Sequence, residues 1–567
     1  MTRRVGWRSA FSLGFVTAAF WLAAGSAHSE GFKPTGGLSW SRYFAASVSL
    51  PDGSVLVASE NTIERYDPAQ GVFFLVAYGP VNHGSGLTAT RLADGRILIV
   101  GGQYGDVSVA TVEIYDPVSN TLSPTGSLSG PRAFHTATLL PDGRVLVAGG
   151  HGGNFYNSAL ASAEIYDPQA GTFSPTGGMA SARQDATATS LPDGRVLVAG
   201  GYGTDGLAQA SAEAYDPATG GFAPTGGMLA GRANHTATAL ADGSVLIVGG
   251  HSAFPGGSLS STEIFDPIAG TFSAAGDMSS PRGAHTATPL GDGRILVSGG
   301  FTAFPFTGQT LASAEIWDPS TGTFTPVAHG MREARGRHVA AALPSGEVLV
   351  AGGLGQYGSV LSSAELYSAS FVDTEPPVLN VPQDFTVAAS AYDPQGTYVY
   401  YYSVWATDNS DANPPVTCEP PSGAYFVVGT TLVTCSATDS WGNSASASFR
   451  VTVLEPLTMT FTVEAFGSVD RAGVAIVRGT ISCSRPGWGT VSGQLEQIVA
   501  SRATILASFY ASVDCQTQAA TWSAPATSWI GPFNPGNAVV YGHAGAYDSY
   551  SNASADVQRT IQLRRKK

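Results

Sequence analysis

Six arginines recur at one point of a repeating pattern. Arg42, Arg132, Arg183, Arg232, Arg282 and Arg335 each stand eleven residues before the glycine of a turn, and Gly84 alone departs from the set. Three positions further on come His135, His235, His285 and His338, with Ala45, Leu87 and Ala186 in the other copies. A glutamate recurs later in every copy, at Glu64, Glu113, Glu164, Glu213, Glu263, Glu315 and Glu365. Guanidinium, imidazole and carboxylate groups bind anions, ligate metals and move protons, so two readings compete. Gathered around a channel mouth, the arginines make a basic collar attractive to acidic groups. With a glutamate at hand in each copy, they instead make one satisfied ion pair per repeat. The histidines are scattered by repeat and incomplete, whereas a metal site needs three or four ligands at one point, so no metal and no cofactor is expected.

The elements that must position these groups recur at roughly 50 residues, the period of propeller blades. Aligned on Asp52-Gly53, Asp94-Gly95, Asp142-Gly143, Asp193-Gly194, Asp242-Gly243, Asp292-Gly293 and Ser345-Gly346, each copy shows two short strands rich in Val, Ile, Leu and Thr around a hairpin turn. The second strand ends in Gly-Gly, except in the first copy, where Ala58-Ser59 stands. A third strand ends in an aromatic residue before Asp-Pro (Tyr66, Tyr115, Tyr166, Tyr215, Phe265 and Trp317), or before Ser368 in the case of Tyr367. A Gly or Asn then permits the left-handed turn into a fourth strand. Such a four-stranded meander needs neighbours on both faces. The seventh copy lacks a fourth strand, and Gly31-Phe32-Lys33-Pro34-Thr35 matches Thr172-Phe173-Ser174-Pro175-Thr176. The pattern predicts an all-β, seven-bladed propeller whose N-terminal strand completes the last blade.

This unit resembles the kelch repeat of exported bacterial proteins over residues 31 to 368, on the strength of the Gly-Gly pair, the aromatic ahead of Asp-Pro and the later aromatic. A related propeller family, exemplified by galactose oxidase, works through a tyrosine crosslinked to a cysteine, a second tyrosine and two histidines. Residues 1 to 417 contain no cysteine, so the resemblance does not extend to that oxidase cofactor. No serine nucleophile motif, phosphate-cradling loop or zinc helix is present either.

In an up-and-down meander the Asp-Gly and Asp-Pro turns share one face of the disc, and the loops after Gly-Gly share the other with the entries into strand one. The first face has turns of nearly constant length. Loops on the second range from Glu60-Asn61 to the long segment 301–306, and they carry aromatics. Variable, aromatic loops on a rigid scaffold are what a binding surface needs. The expected contact surface is Tyr104, Phe155, Tyr156, Tyr202, Phe254, Phe304, Phe306 and Tyr357, with the arginine collar second.

A net charge of −14 argues against nucleic acid or an anionic membrane as partner. Arg3, Arg4 and Arg8 precede an apolar run and the small residues Gly25-Ser26-Ala27, the order of a secretory signal peptide over residues 1–27; the run is short for an uncleaved anchor. Three pairings are open to Cys418, Cys435, Cys483 and Cys515, and the local one, Cys418 with Cys435 and Cys483 with Cys515, keeps each bridge within one domain. With the propeller over 28–370, residues 371–455 resemble a HYR domain, an immunoglobulin-like sandwich. Asp373-Thr374-Glu375-Pro376-Pro377 reads as a stiff linker, and Asp408-Asn409, Cys418, Gly429-Thr430-Thr431, Cys435, Asp439 and Gly442-Asn443 after it carry that resemblance. Residues 456–567 alternate as a further β-sandwich. Asp408, Asp411 and Asp439 have the residue type for calcium, but turn chemistry explains them equally.

The reading is an exported, secreted or surface-held, non-enzymatic protein that binds an extracellular protein or glycan through its loop rim. Two alternatives are an extracellular propeller enzyme, oxidoreductase or carbohydrate-active, and a structural matrix component.

Overall fold

The computed structural model describes residues 30–566, apart from 154–157, 254–255, 305–307, 412 and 500–502. The expected signal peptide lies outside these residues. No described helix is long and apolar enough to cross a membrane. The chain divides into two compact units at residue 373.

In the first unit each hairpin pairs with its third and fourth segments to give seven four-stranded antiparallel sheets. Blade 1 is Ala46–Ser49, Val55–Ser59, Thr62–Asp67 and Val72–Tyr78, and blades 2 to 6 follow in the same order. Blade 7 takes its outer strand from the other end of the chain: Gly31–Thr35 lies antiparallel on Ala364–Ser368, with Phe32 opposite Tyr367. First strands are innermost, and each touches those of both neighbours, so the cycle closes from Val339–Ala342 to Ala46–Ser49. Five of them begin Thr-Ala-Thr and the other two are Ala-Ser-Val-Ser and Val-Ala-Ala-Ala, which leaves little bulk where the blades converge. Second strands, such as Val145–Ala148, are buried along their whole length, because both faces meet adjacent blades. Phe32 is only 2 % exposed among Leu296, Ile316, Val348 and Tyr367, so the closing strand adds a core side chain as well as hydrogen bonds.

The Gly-Gly pairs are junctions between blades. The second glycine of each pair donates its N–H to the carbonyl of the next blade's arginine: Gly102 to Arg132, Gly150 to Arg183, Gly201 to Arg232, Gly250 to Arg282, Gly300 to Arg335 and Gly353 to Arg42. Both glycines have positive φ, and a Cβ on Gly102 would lie 2.1 Å from the His83 carbonyl oxygen, so no side chain fits there. Blade 1 has no such pair and blade 2 has no such arginine. These two departures in the repeat are the two halves of one altered junction, in which His83 N–H bonds Glu60 O and Glu60 N–H bonds Gly84 O.

In the second unit, Phe385–Ala388, Ser444–Leu454, Gly429–Thr438 and Val416–Glu419 form one sheet, with two-stranded sheets beside it. Cys418 pairs with Cys435 across adjacent strands and is bonded to it. Residues 459–565 make an eight-stranded sheet around a core holding Trp522 stacked on Phe509. Cys483–Cys515 ties two of its strands that share no backbone pairing.

Candidate binding face of the propeller

The six arginines do not form an open collar. They are 0–5 % exposed, and each is held by its blade's glutamate: Arg132 with Glu164 at 2.8 Å, Arg183 with Glu213 at 2.8 Å, Arg282 with Glu315 at 2.7 Å and Arg335 with Glu365 at 2.8 Å, with Arg42–Glu64 and Arg232–Glu263 alike. Each of these guanidiniums also donates to a backbone carbonyl at the end of its own second strand, as Arg183 does to Gly200 O at 2.7 Å. A buried charge without a partner is costly, and these side chains are consumed in pairing. In blade 2, His83 takes the arginine's place, 3.0 Å from Glu113. The histidines of the repeat are staples between blades. His135, His235, His285 and His338 meet the hydroxyls of Thr88, Thr187, Thr236 and Thr286 in the preceding blade at 2.8–3.0 Å. Burial and the neighbouring arginine hold His135, His235 and His338 down at about 3 and push His285 well below its usual value.

Two residues beyond each arginine lies a position that sequence reasoning passed over. Phe44, Phe134, Asp185, Asn234, Ala284 and Arg337 all adopt φ of 52–54°, where non-glycine residues are strained. Their N–H groups run head to tail around the axis: Phe134 to Gly86 O, Asp185 to Phe134 O, Asn234 to Asp185 O, Ala284 to Asn234 O, Arg337 to Ala284 O and Phe44 to Arg337 O. The signal was present, since the position varies from Phe to Asp to Arg between flanking constants. Arg337 lies over the Phe44 ring at 3.7 Å, and Phe44 meets Phe134 edge-on at 4.9 Å. Burial raises the Asp185 carboxyl to about 6, against the pull of Arg337, and lowers Arg337 to about 10.

The rim aromatics divide. Tyr104 is 63 % exposed and Tyr357 is 97 % exposed. Tyr202 is a correction: it is 1 % exposed, with its hydroxyl toward Ala253 O at 3.4 Å. The cause is register. The residue directly after Gly-Gly pairs back onto the entry to strand one, as Tyr202 does with Gln184, and His151, His251, Phe301 and Leu354 are buried at the same position. Phe155, Tyr156, Phe254 and Phe306 lie outside the described residues, and Phe304 is described only by its backbone pairing with Gly256.

Tyr357 stands at the edge of a groove of about 390 Å³ between the loops of blades 6 and 7, lined also by Phe301, Thr302, Gln309, Thr310 and Gln356. The two loops are tied by Thr310 N–H to Gln356 Oε1 at 3.2 Å and Thr310 Oγ1 to Gly355 O at 3.2 Å. Tyr357 itself has φ 60° and ψ 22°, a left-handed conformation between Gly355 and Gly358 that holds an aromatic ring in solvent. Val107, Leu207, Leu229 and Val360 are further exposed apolar side chains on this loop face.

The Kelch motif matches residues 89–124, 132–180, 232–279 and 282–331, in blades 2, 3, 5 and 6. The fold is a kelch-type β-propeller. A HYR domain matches residues 372–453. Hyalin of Lytechinus variegatus is 33 % identical over 114 residues, a stretch that covers 20 % of this chain and 22 % of hyalin. Among solved structures, a fungal alcohol oxidase of the AA5 family in complex with copper is similar at 19 % identity and a TM-score of 0.50, over 75 % of this chain and 99 % of that one. YjhT is similar at 14 % identity and a TM-score of 0.43, over 52 % and 99 %. The oxidase likeness supports the kelch propeller fold alone.

Proposed function

We propose that this chain is an exported, non-enzymatic binding or adhesion protein that captures an extracellular glycan or protein on the loop face of its kelch propeller. The observation that carries the reading is Tyr357, a fully exposed aromatic ring in a strained backbone conformation beside a groove lined by amide and hydroxyl groups. Strain of this kind persists where surrounding structure imposes it, and it is characteristic of ligand contacts. An exposed ring with flanking hydrogen-bonding groups matches the alternation of apolar faces and hydroxyls on a sugar, and equally a polar peptide surface. The HYR domain, the hyalin relative and two disulfides support an extracellular setting.

The copper-radical alternative requires a cysteine crosslink, and all four cysteines are in disulfides. Glycan arrays and surface pull-downs with wild type and the Tyr104→Ala/Tyr357→Ala double variant test the reading. Captured ligand should be lost in the variant while the melting temperature holds. Equal capture by both proteins refutes the assignment of the face, and stoichiometric copper with oxidase activity in the purified protein favours the enzyme alternative.

A further inference from the structure

The HYR stretch contains a feature that neither the binding reading nor the disulfides use. Asp373, Asp408 and Asp439 all fall within the matched residues 372–453. They are 4 %, 5 % and 6 % exposed, and one carboxylate oxygen from each lies within 4.8 Å of the others. Among the described residues this is the one such convergence of acidic, histidine or cysteine side chains. Like charges brought together out of water repel, so the arrangement calls for a compensating positive charge. Among the described residues of this half, the salt bridges Arg450–Asp384 and Arg485–Asp548 include neither Asp408 nor Asp439.

Hydrogen bonds aim two of these carboxylates. Asp408 Oδ1 accepts from the Ser410 and Asp411 N–H groups at 3.3 and 3.1 Å and from Ser410 Oγ at 3.0 Å. Asp439 Oδ1 accepts from the Trp441 and Asn443 N–H groups at 2.9 and 2.8 Å, and Oδ2 from Asn443 Nδ2 at 2.8 Å. Asp411 then locks the two turns together, accepting from Ser440 N–H at 2.6 Å and Ser440 Oγ at 2.8 Å. Against this orderly accounting, Asp408 Oδ2 is buried and has no hydrogen-bond partner among the described residues. A buried carboxylate oxygen left so is costly unless something else satisfies it.

We propose that Asp373, Asp408 and Asp439 bind one calcium-type divalent cation, with Asp408 Oδ2 as a direct ligand. Oxygens around a shared Ca²⁺ sit ~2.3–2.6 Å from it and hence at most about 5 Å apart, a limit that the 4.8 Å separation of these carboxylate oxygens respects. The donors are all hard carboxylate oxygens, without the imidazole or thiolate that zinc and copper prefer. Residue type and Asx turns were visible in the sequence for Asp408 and Asp439; their convergence with Asp373 was not.

Trp441, whose N–H bonds Asp439 Oδ1, supplies the readout. The full-length protein is stripped with EGTA and titrated with Tb³⁺ under tryptophan excitation, then with Ca²⁺ or Mg²⁺ as competitor. Saturable luminescence displaced by Ca²⁺ and at least tenfold less readily by Mg²⁺ is expected, and Asp408→Asn should weaken Tb³⁺ binding at least tenfold with unchanged circular dichroism. Ca²⁺ should also raise a melting transition of the stripped wild type, a measurement that stands if the variant fails to fold. Luminescence equal in wild type and a folded Asp408→Asn variant, or a stripped protein whose melting ignores Ca²⁺, overturns the proposal.

Discussion

The two units of this chain solve the same problem differently. The propeller has no cysteine and is held by closure: an inter-blade Gly-to-Arg carbonyl bond at six of its seven junctions, a buried Arg–Glu ion pair in six blades with a His83–Glu113 hydrogen bond in the seventh, and one strand borrowed from the N-terminus. The second unit has no repeat to close and carries both disulfides. Repetition lets one solution be used many times, so the propeller distributes its stabilisation over equivalent junctions. Smaller sandwiches have less interior to share, and a covalent bridge restricts the unfolded chain instead.

The largest test of this contrast is removal of the closing strand. Deleting residues 30–35 exposes the edge of Ala364–Ser368 and empties the Phe32 pocket, for which the phenyl group alone is worth about 3–5 kcal/mol. Calorimetry should show the cooperative propeller transition lost and that of the second unit intact.

Acid should separate the units next. His135, His235 and His338 titrate near 6.5 when unfolded and at about 3 when folded. Below pH 6.5 the unfolded chain therefore takes up protons that the native state refuses, and stability falls until about pH 3 by up to about 1.4 kcal/mol per pH unit for each histidine. The second unit holds no buried histidine, its one histidine, His543, being exposed. Melting curves between pH 7 and 4 that moved both units together would remove the contrast.

At a single junction, Arg232→Met leaves Glu263 buried without its partner and should cost the propeller about 3–5 kcal/mol in denaturant titrations. Replacing Cys483 and Cys515 by serine should cost about 3–4 kcal/mol, confined to the second unit. The smallest effect is expected at Tyr357→Ala, within about 0.5 kcal/mol of wild type, since the ring touches mostly solvent. A larger destabilisation there would make the ring structural rather than a ligand contact.

Much of the fold was legible because each feature was repeated. The Asp-Gly turns, the Gly-Gly pairs and the strands they bound could be read in register, and the all-β propeller followed. The candidate site was legible only in part. Tyr104 and Tyr357 are exposed as expected, but Tyr202 looked equivalent to them in sequence and is buried, because its position directly after Gly-Gly fixes its pairing and hence the side to which its ring turns. The arginines were ambiguous for a related reason: a constant residue in every blade serves the blade when its partner is equally constant, and only coordinates show whether the two meet.

By itself the sequence determined the repeat, its strands and turns, and which residues are constant and which vary, since these depend on local backbone preference and on alternation along a strand. Tertiary structure alone decided that the missing Gly-Gly of blade 1 and the missing arginine of blade 2 belong to one junction, that six strained residues ring the axis, and that three aspartates share one buried spot. Each of those facts concerns residues far apart along the chain. Their meeting is set by how the blades pack around the axis and how each sheet curls, which the counting of repeats does not specify.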